Sequence, residues 1–206
     1  MNTDAAQAPA VTFIHAFDSV VERLDLGRLF QRAQPLEIEL GSGDGSFLAQ
    51  YAASHRERNF VGLERLLGRL RKLDRKAIRL GLANVRGVRI EAAYFLEYLL
   101  PPASAEAVHV YFPDPWPKRR HHKHRLVNER FPLLARQALA GGGVIYLRTD
   151  DADYFGRMKE VFGACPFFAE TPTPEELAAT LTDFERGFLE RNIPTLRAAF
   201  RKIKRQ

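Results

Sequence analysis

Three glutamates recur at equivalent places along the first half of the chain. Glu39 sits near the end of the apolar run 36–40, Glu64 ends the run 60–63, and Glu91 follows the run 85–90. Between the first run and the next helical stretch lies Gly41-Ser42-Gly43-Asp44-Gly45. Glycines there permit a tight turn and a close approach of ligand to backbone. Their spacing is Gly-x-Gly-x-Gly, not the Gly-x-Gly-x-x-Gly of a dinucleotide loop, and Glu39 and Asp44 flank it. Two carboxylates repel a pyrophosphate and suit a cation. S-adenosyl-L-methionine carries a sulfonium and an ammonium, and the loop fits it better than it fits a dinucleotide. Glu64 lies 23 positions after Gly41, close to the spacing at which an acid holds ribose hydroxyls at the second strand end. Glu91-Ala92 falls where such sites meet adenine. A plain turn and helix-capping glutamates are the competing reading of each piece taken alone.

A second constellation follows the fourth apolar run. Phe112-Pro113-Asp114-Pro115-Trp116-Pro117 holds three prolines, which fix φ and remove backbone donors, so the corner is stiff. Asp114 on that corner would face the reactive end of the cofactor. Residues 118–125 are then all basic or histidine: Lys118, Arg119, Arg120, His121, His122, Lys123, His124 and Arg125. Such a run is stable beside an anion, and a polyphosphate backbone is the usual one. Residues 65–79 carry seven basic side chains against one acid; a solvated helix face and a second phosphate contact account for this equally well. The three histidines lack helical i, i+4 spacing and stand among cations, so metal binding is not expected.

The elements that must position these groups are legible from periodicity. Strands are predicted at 36–40, 60–63, 85–90, 107–112 and 144–148, and helices at 47–53, 66–80, 93–99 and 128–138. A further helix is predicted around 154–162 and a last strand over 196–203. This alternation predicts an α/β, Rossmann-like fold, a mostly parallel sheet with helices on both faces. Residues 1–10, rich in Ala, Pro and Gln, read as a flexible tail ahead of one domain over 11–206. Hydrophobic residues make up 46% and charged residues 27% of 206, which excludes collagen-like, mucin-like and largely disordered chains. The single cysteine, Cys165, cannot form an internal disulfide and precedes Pro166 in an apolar run, which suits the core and a reducing, cytoplasmic setting. Neither a signal peptide nor a membrane-spanning run is visible. The net charge of +6 conceals its distribution: the two basic segments stand on an otherwise acidic body.

The segments Glu39-Leu40-Gly41-Ser42-Gly43-Asp44-Gly45, Phe112-Pro113-Asp114-Pro115-Trp116-Pro117-Lys118 and His121-His122-Lys123-His124-Arg125 closely resemble the bacterial tRNA (guanine-N7-)-methyltransferase family. Thr149-Asp150 and Thr182-Asp183-Phe184-Glu185 continue the resemblance, which runs from about residue 36 to the C-terminus. It implies a class I S-adenosylmethionine-dependent methyltransferase fold. It also implies that Glu39, Gly41, Gly43, Glu64, Glu91 and Asp114 contact the cofactor. Lys118, Asp150 and the segment Thr182, Asp183, Phe184 and Glu185 would contact the substrate, and Arg119, Arg120, Lys123 and Arg125 the RNA backbone. Two positions depart from the pattern. Glu91 replaces the usual aspartate, and Asn192 stands where a glycine is usual; asparagine tolerates left-handed φ best after glycine.

The implied chemistry is methyl transfer to N7 of a variable-loop guanine in tRNA. N7 has a free lone pair and no proton, so no general base is required, and alignment supplies the rate. Asp114, Asp150 and Glu185 are the candidate catalytic carboxylates: Asp150 and Glu185 accept from guanine N1–H and N2–H₂ and stabilise the cationic purine, and Asp114 bridges cofactor and base. Reaching the base requires opening or flipping it. Trp116 or His122 is a candidate stacking surface, with a packed core position the other reading for Trp116. A non-catalytic RNA-binding protein with a retained cofactor pocket, and a methyltransferase acting on another RNA or on protein, are the rival readings. No obligate protein partner is implied, and monomer and homodimer stay open.

Overall fold

The computed structural model describes residues 12–203, so the tail expected at 1–10 lies outside the described residues. The strands are β1 (Ile14–His15), β2 (Leu36–Leu40), β3 (Asn59–Leu63), β4 (Val85–Val88), β5 (Ala105–Tyr111), β6 (Leu139–Thr149), β7 (Phe168–Thr171) and β8 (Leu196–Lys202). The helices are α1 (Leu26–Leu29), α2 (Ser46–Ser54), α3 (Leu67–Arg79), α4 (Ala92–Tyr94), α5 (Phe131–Ala138), α6 (Ala152–Gly163), α7 (Glu175–Ala179) and α8 (Asp183–Leu189). A π-helical turn, Phe95–Leu99, continues α4, and a 3₁₀ helix spans Arg119–His124.

The sheet has the order β1-β4-β3-β2-β5-β6-β8-β7, parallel through β6 and antiparallel at β8 and β7. From β2 the chain builds outward through β3 and β4, then returns to lay β5 on the other side of β2. Ligands in open α/β sheets bind at this reversal, outside the carboxyl ends of the strands. The glycine loop leaves β2 there and the proline corner leaves β5 there.

Alternation within β2 explains its placement. Leu36, Ile38 and Leu40 enter the larger core, which α5 and α6 also fill. Glu37 and Glu39 consequently point to the other face, toward the smaller core built on α2 and α3. α3 buries Leu70, Leu73 and Ala77 on that side and turns its basic stripe outward.

The five predicted parallel strands and the final strand are all present, with shifted ends. β5 stops at Tyr111 because Phe112 takes φ +50° and leaves the sheet. β6 is far longer than 144–148 and begins at Leu139. β7 lies in a region bracketed by Pro166 and Pro172, which bound it instead of excluding it; as an edge strand it loses nothing to proline. The helix expected at 128–138 starts only at Phe131, because the Asn128 side chain accepts from the Arg130 backbone at 3.0 Å and makes a turn first. Asn192 occupies the left-handed region at φ +55°.

Gly45 connects the fold to the loop it carries. At φ +75° it starts α2, and a Cβ there would lie 2.4–2.9 Å from Leu73 of α3. Gly41, at φ +76°, has nothing within 4 Å of such a Cβ. Gly45→Ala is therefore expected to lose about 2–5 kcal/mol through overpacking and backbone strain. Gly41→Ala meets strain alone and should lose about 1–2 kcal/mol. Urea denaturation of the two variants checks the order.

Candidate active site

Two adjoining clefts open at the strand reversal. The first, about 330 Å³, is walled by Glu39, the glycine loop and the Thr182–Phe184 segment. The second, about 360 Å³, is walled by Glu64, Glu91, Asp114 and Trp116, with Ile90 and Ala92. Gly41, Arg69, Tyr111 and Phe112 belong to both, so the clefts form one elongated groove across the ends of β2 and β5. This size suits a small-molecule site.

The first cleft is built around a contrast between two carboxylates on one strand face. Glu37 Oε2 lies 2.8 Å from His109 Nε2, and its other oxygen accepts from Arg58. Burial pushes the Glu37 carboxyl up, but His109 and Arg58 outweigh it and hold the group below its ordinary value. Glu39, two residues on and 4% exposed, has an Oε2 atom with no hydrogen-bond partner. Burial pushes its carboxyl up to about 8, Arg148 opposing and Asp44 and Glu64 reinforcing the shift. A buried acid without a partner, aimed into a cleft, suits a cationic ligand. Gly41 and Gly43 present open backbone beside it.

The second cleft holds the other expected cofactor positions. Glu64 is buried, lines the cleft and spends one oxygen on the Leu66 backbone N–H at 2.8 Å. Glu91 is exposed and caps α4, accepting from Ala93 and Tyr94 backbone N–H groups at 3.0 and 2.7 Å. Asp114 is exposed on the proline corner. Trp116, at 37% exposure and φ +47°, lines this cleft against His121 and His124, so the core reading for it is set aside.

The expected substrate positions divide. Thr182 and Asp183 line the first cleft, and Phe184 stands at its rim, 59% exposed, with its ring 5.8 Å from that of Phe112. Asp150 follows β6 at the same sheet end and is exposed, outside the lining of both clefts. Lys118, Arg119, Arg120 and Lys123 are exposed on and before the 3₁₀ helix.

Two expectations need correction. Glu185 is 1% exposed and turns inward, so it is not available to accept from a base. Its Oε2 accepts from Arg148 at 2.8 Å and from the Thr182 backbone at 2.9 Å, and its Oε1 from Arg197 at 2.6 Å. Arg125, expected on the RNA backbone, is 4% exposed. It donates to the Pro115 carbonyl and to Asp153, each at 2.7 Å, with its guanidinium 4.7 Å from the Tyr154 ring. A guanidinium so engaged braces the proline corner from below.

Sequence reasoning missed the residue beneath the site. Arg148, 1% exposed near the end of β6, pairs with Glu185 and donates to the carbonyls of Thr180 and Leu177. Its guanidinium lies 4.2 Å over the Tyr111 ring and 5.5 Å from that of Phe47. The one available signal was a cation closing an otherwise apolar strand. Replacing Arg148 with Met leaves Glu185 and two carbonyls short of a donor. A loss of about 3–5 kcal/mol is expected, read as a lowered urea midpoint, with Lys at this position losing less.

The groove's chemistry agrees with what the chain is similar to. The family described as "Putative methyltransferase" matches residues 33–197. The tRNA (guanine-N(7)-)-methyltransferase of Alkalilimnicola ehrlichii is 37% identical over 87% of this chain and 77% of its own length. The protein of the same name from Nitrosospira multiformis is 35% identical over 87% and 80%. Among solved structures, the 16S rRNA methyltransferase KamB superposes with a TM-score of 0.61 at 19% identity, covering 89% of this chain and 95% of that one. TrmN from Thermus thermophilus gives 0.59 at 17% identity, covering 86% and 47%. The last two likenesses concern the fold, which is that of class I S-adenosylmethionine-dependent methyltransferases. Sequence kinship and fold together make this chain a member of the tRNA (guanine-N(7)-)-methyltransferase family.

Proposed function

We propose that this protein methylates N7 of a variable-loop guanine in tRNA, with S-adenosyl-L-methionine as methyl donor and the groove between β2 and β5 as its seat. The observation that carries the reading is the buried, unpartnered Glu39 carboxylate over an open glycine loop, in one groove with Asp114. In this reading Glu39 holds the cofactor's ammonium, Glu64 its ribose hydroxyls, and Glu91 with Ala92 borders adenine. The bound cofactor supplies an electrophilic methyl group.

The chain's own task is alignment. Guanine N7 carries no proton to remove, so no residue serves as a base. Exposed Asp114 and Asp150 accept from the base's N–H edge and offset positive charge on the purine. Buried Glu185 acts one step back: with Arg148 it holds Thr182 and Phe184 at the cleft. Lys118, Arg119, Arg120 and Lys123 present charge to the phosphate backbone, which helps offset the few kcal/mol of opening a structured base.

The decisive experiment is mass-spectrometric mapping of nucleosides after incubating the protein with S-adenosylmethionine and bulk tRNA. The expected product is 7-methylguanosine; a different methylated nucleoside, or none, overturns the proposal. Asp114→Ala should abolish transfer while tRNA retention on filters stays nearly unchanged.

Glu39 adds a pH dependence. Below about pH 8 its carboxyl is neutral in the free protein, and holding an ammonium requires it to ionise. Cofactor affinity should therefore rise by up to about tenfold per pH unit between pH 6 and 8, and stop rising above, falling once the cofactor's own ammonium loses its proton. Calorimetry in buffers of different ionisation enthalpy should register proton release on binding at pH 7, and Glu39→Gln should remove it.

A further inference from the structure

The charges facing the first cleft leave a specific remainder once internal pairs are removed. Asp44 accepts from Lys76 at 2.8 Å and from Ser46, and these contacts outweigh burial to hold its carboxyl below the ordinary range. Asp183 accepts from Ser46 and Arg186. Three ionisable side chains lining the cleft remain without an ionic partner among the described residues: Glu39 on one wall, and Arg69 and Lys72 on α3. Arg69 and Lys72 are one turn apart and therefore share a helix face. Lys76, the next basic residue along that stripe, is anchored to the glycine loop and fixes the helix against it.

One acid opposite two bases is the complement of a zwitterion. We propose that Arg69 and Lys72 form the subsite for the α-carboxylate of the cofactor's amino-acid tail, facing Glu39, which takes the ammonium. The inference rests on the S-adenosylmethionine reading and assigns its remaining charged group. It also divides the basic run at 65–79: two of its residues go to the cofactor, Lys76 to the glycine loop, and the rest stay on the solvated face. A phosphate backbone fits these two residues less well, because at this rim it would meet Glu39, Asp44 and Asp183. Arg69 lines both clefts and so stands where tail and nucleoside portions join.

The test compares wild type and variant for each of three probes with different tails, so that the sulfonium kept only by decarboxylated S-adenosylmethionine cancels from the comparison. S-adenosylhomocysteine carries the whole zwitterion, decarboxylated S-adenosylmethionine lacks the carboxylate, and 5′-methylthioadenosine lacks both charged groups. Binding of each is measured by calorimetry for the wild type and for the Arg69→Gln/Lys72→Gln double variant. Both side chains are exposed, so the variant should fold. The variant is expected to bind S-adenosylhomocysteine about 10–100-fold more weakly, as for the loss of charge-assisted hydrogen bonds. Its affinity for the other two probes should stay within about twofold. An equal loss for all three overturns the subsite. So does unchanged S-adenosylhomocysteine binding with a shallower salt dependence of tRNA affinity, which would assign the pair to phosphates. A wild type that binds none of the probes overturns the cofactor reading itself, and the subsite with it.

Discussion

The Arg148 guanidinium is the constraint around which the site is assembled. It lies buried between the sheet and the 177–185 segment, bonded to Glu185 and to two backbone carbonyls, with the Tyr111 ring beneath it. A charge removed from water is tolerated only when its donors are satisfied, and here the partners come from a segment far along the chain. Satisfying that charge closes the C-terminal region over the groove. Glu185 in turn completes a capping box with Thr182, so the ion pair and the start of α8 are one arrangement. Phe184, held by that start, reaches the cleft rim beside Phe112.

The same polar layer makes Glu37 and Glu39 different. Both leave β2 on the α2 side and both are buried. Glu37 meets His109 and Arg58 and becomes part of the structure, whereas Glu39 faces the cleft with one oxygen unmatched. Arg148 moderates the Glu39 shift without hydrogen-bonding to it; the hydrogen bonds it makes go to the 177–185 segment. The result is a buried acid that the protein leaves without a hydrogen-bond partner, which is the condition for recognising a cation.

Positive charge is sorted by the fold into distinct duties. On the 3₁₀ helix, Arg119, Arg120 and Lys123 are free at the surface, while Arg125, at the end of the same run, turns in to hold Pro115. On α3, Lys76 secures the glycine loop. Adjacent members of one basic run thus face solvent or brace the scaffold according to the side on which they fall.

The sequence by itself determined the parallel sheet, the loop after β2, the stiff corner after β5 and the presence of acids at three strand ends. These features depend on local chemistry: alternation, glycine and proline stereochemistry, and residue spacing. It also marked Asn192 as a position of left-handed φ. Only the tertiary structure decided which charges were spent. Glu185 and Arg125 read as free ions in one dimension and became buried partners, and Arg148 carried no role there at all, because the counterions lie 12–37 positions away and come together only when β6, α6 and α8 pack. The edge strand β7 was hidden for a related reason: its pairing with β8 is non-local, and the prolines around it spoke for a loop. Spacing reveals which chemistry a chain carries, whereas burial and partner choice settle which of its residues remain available.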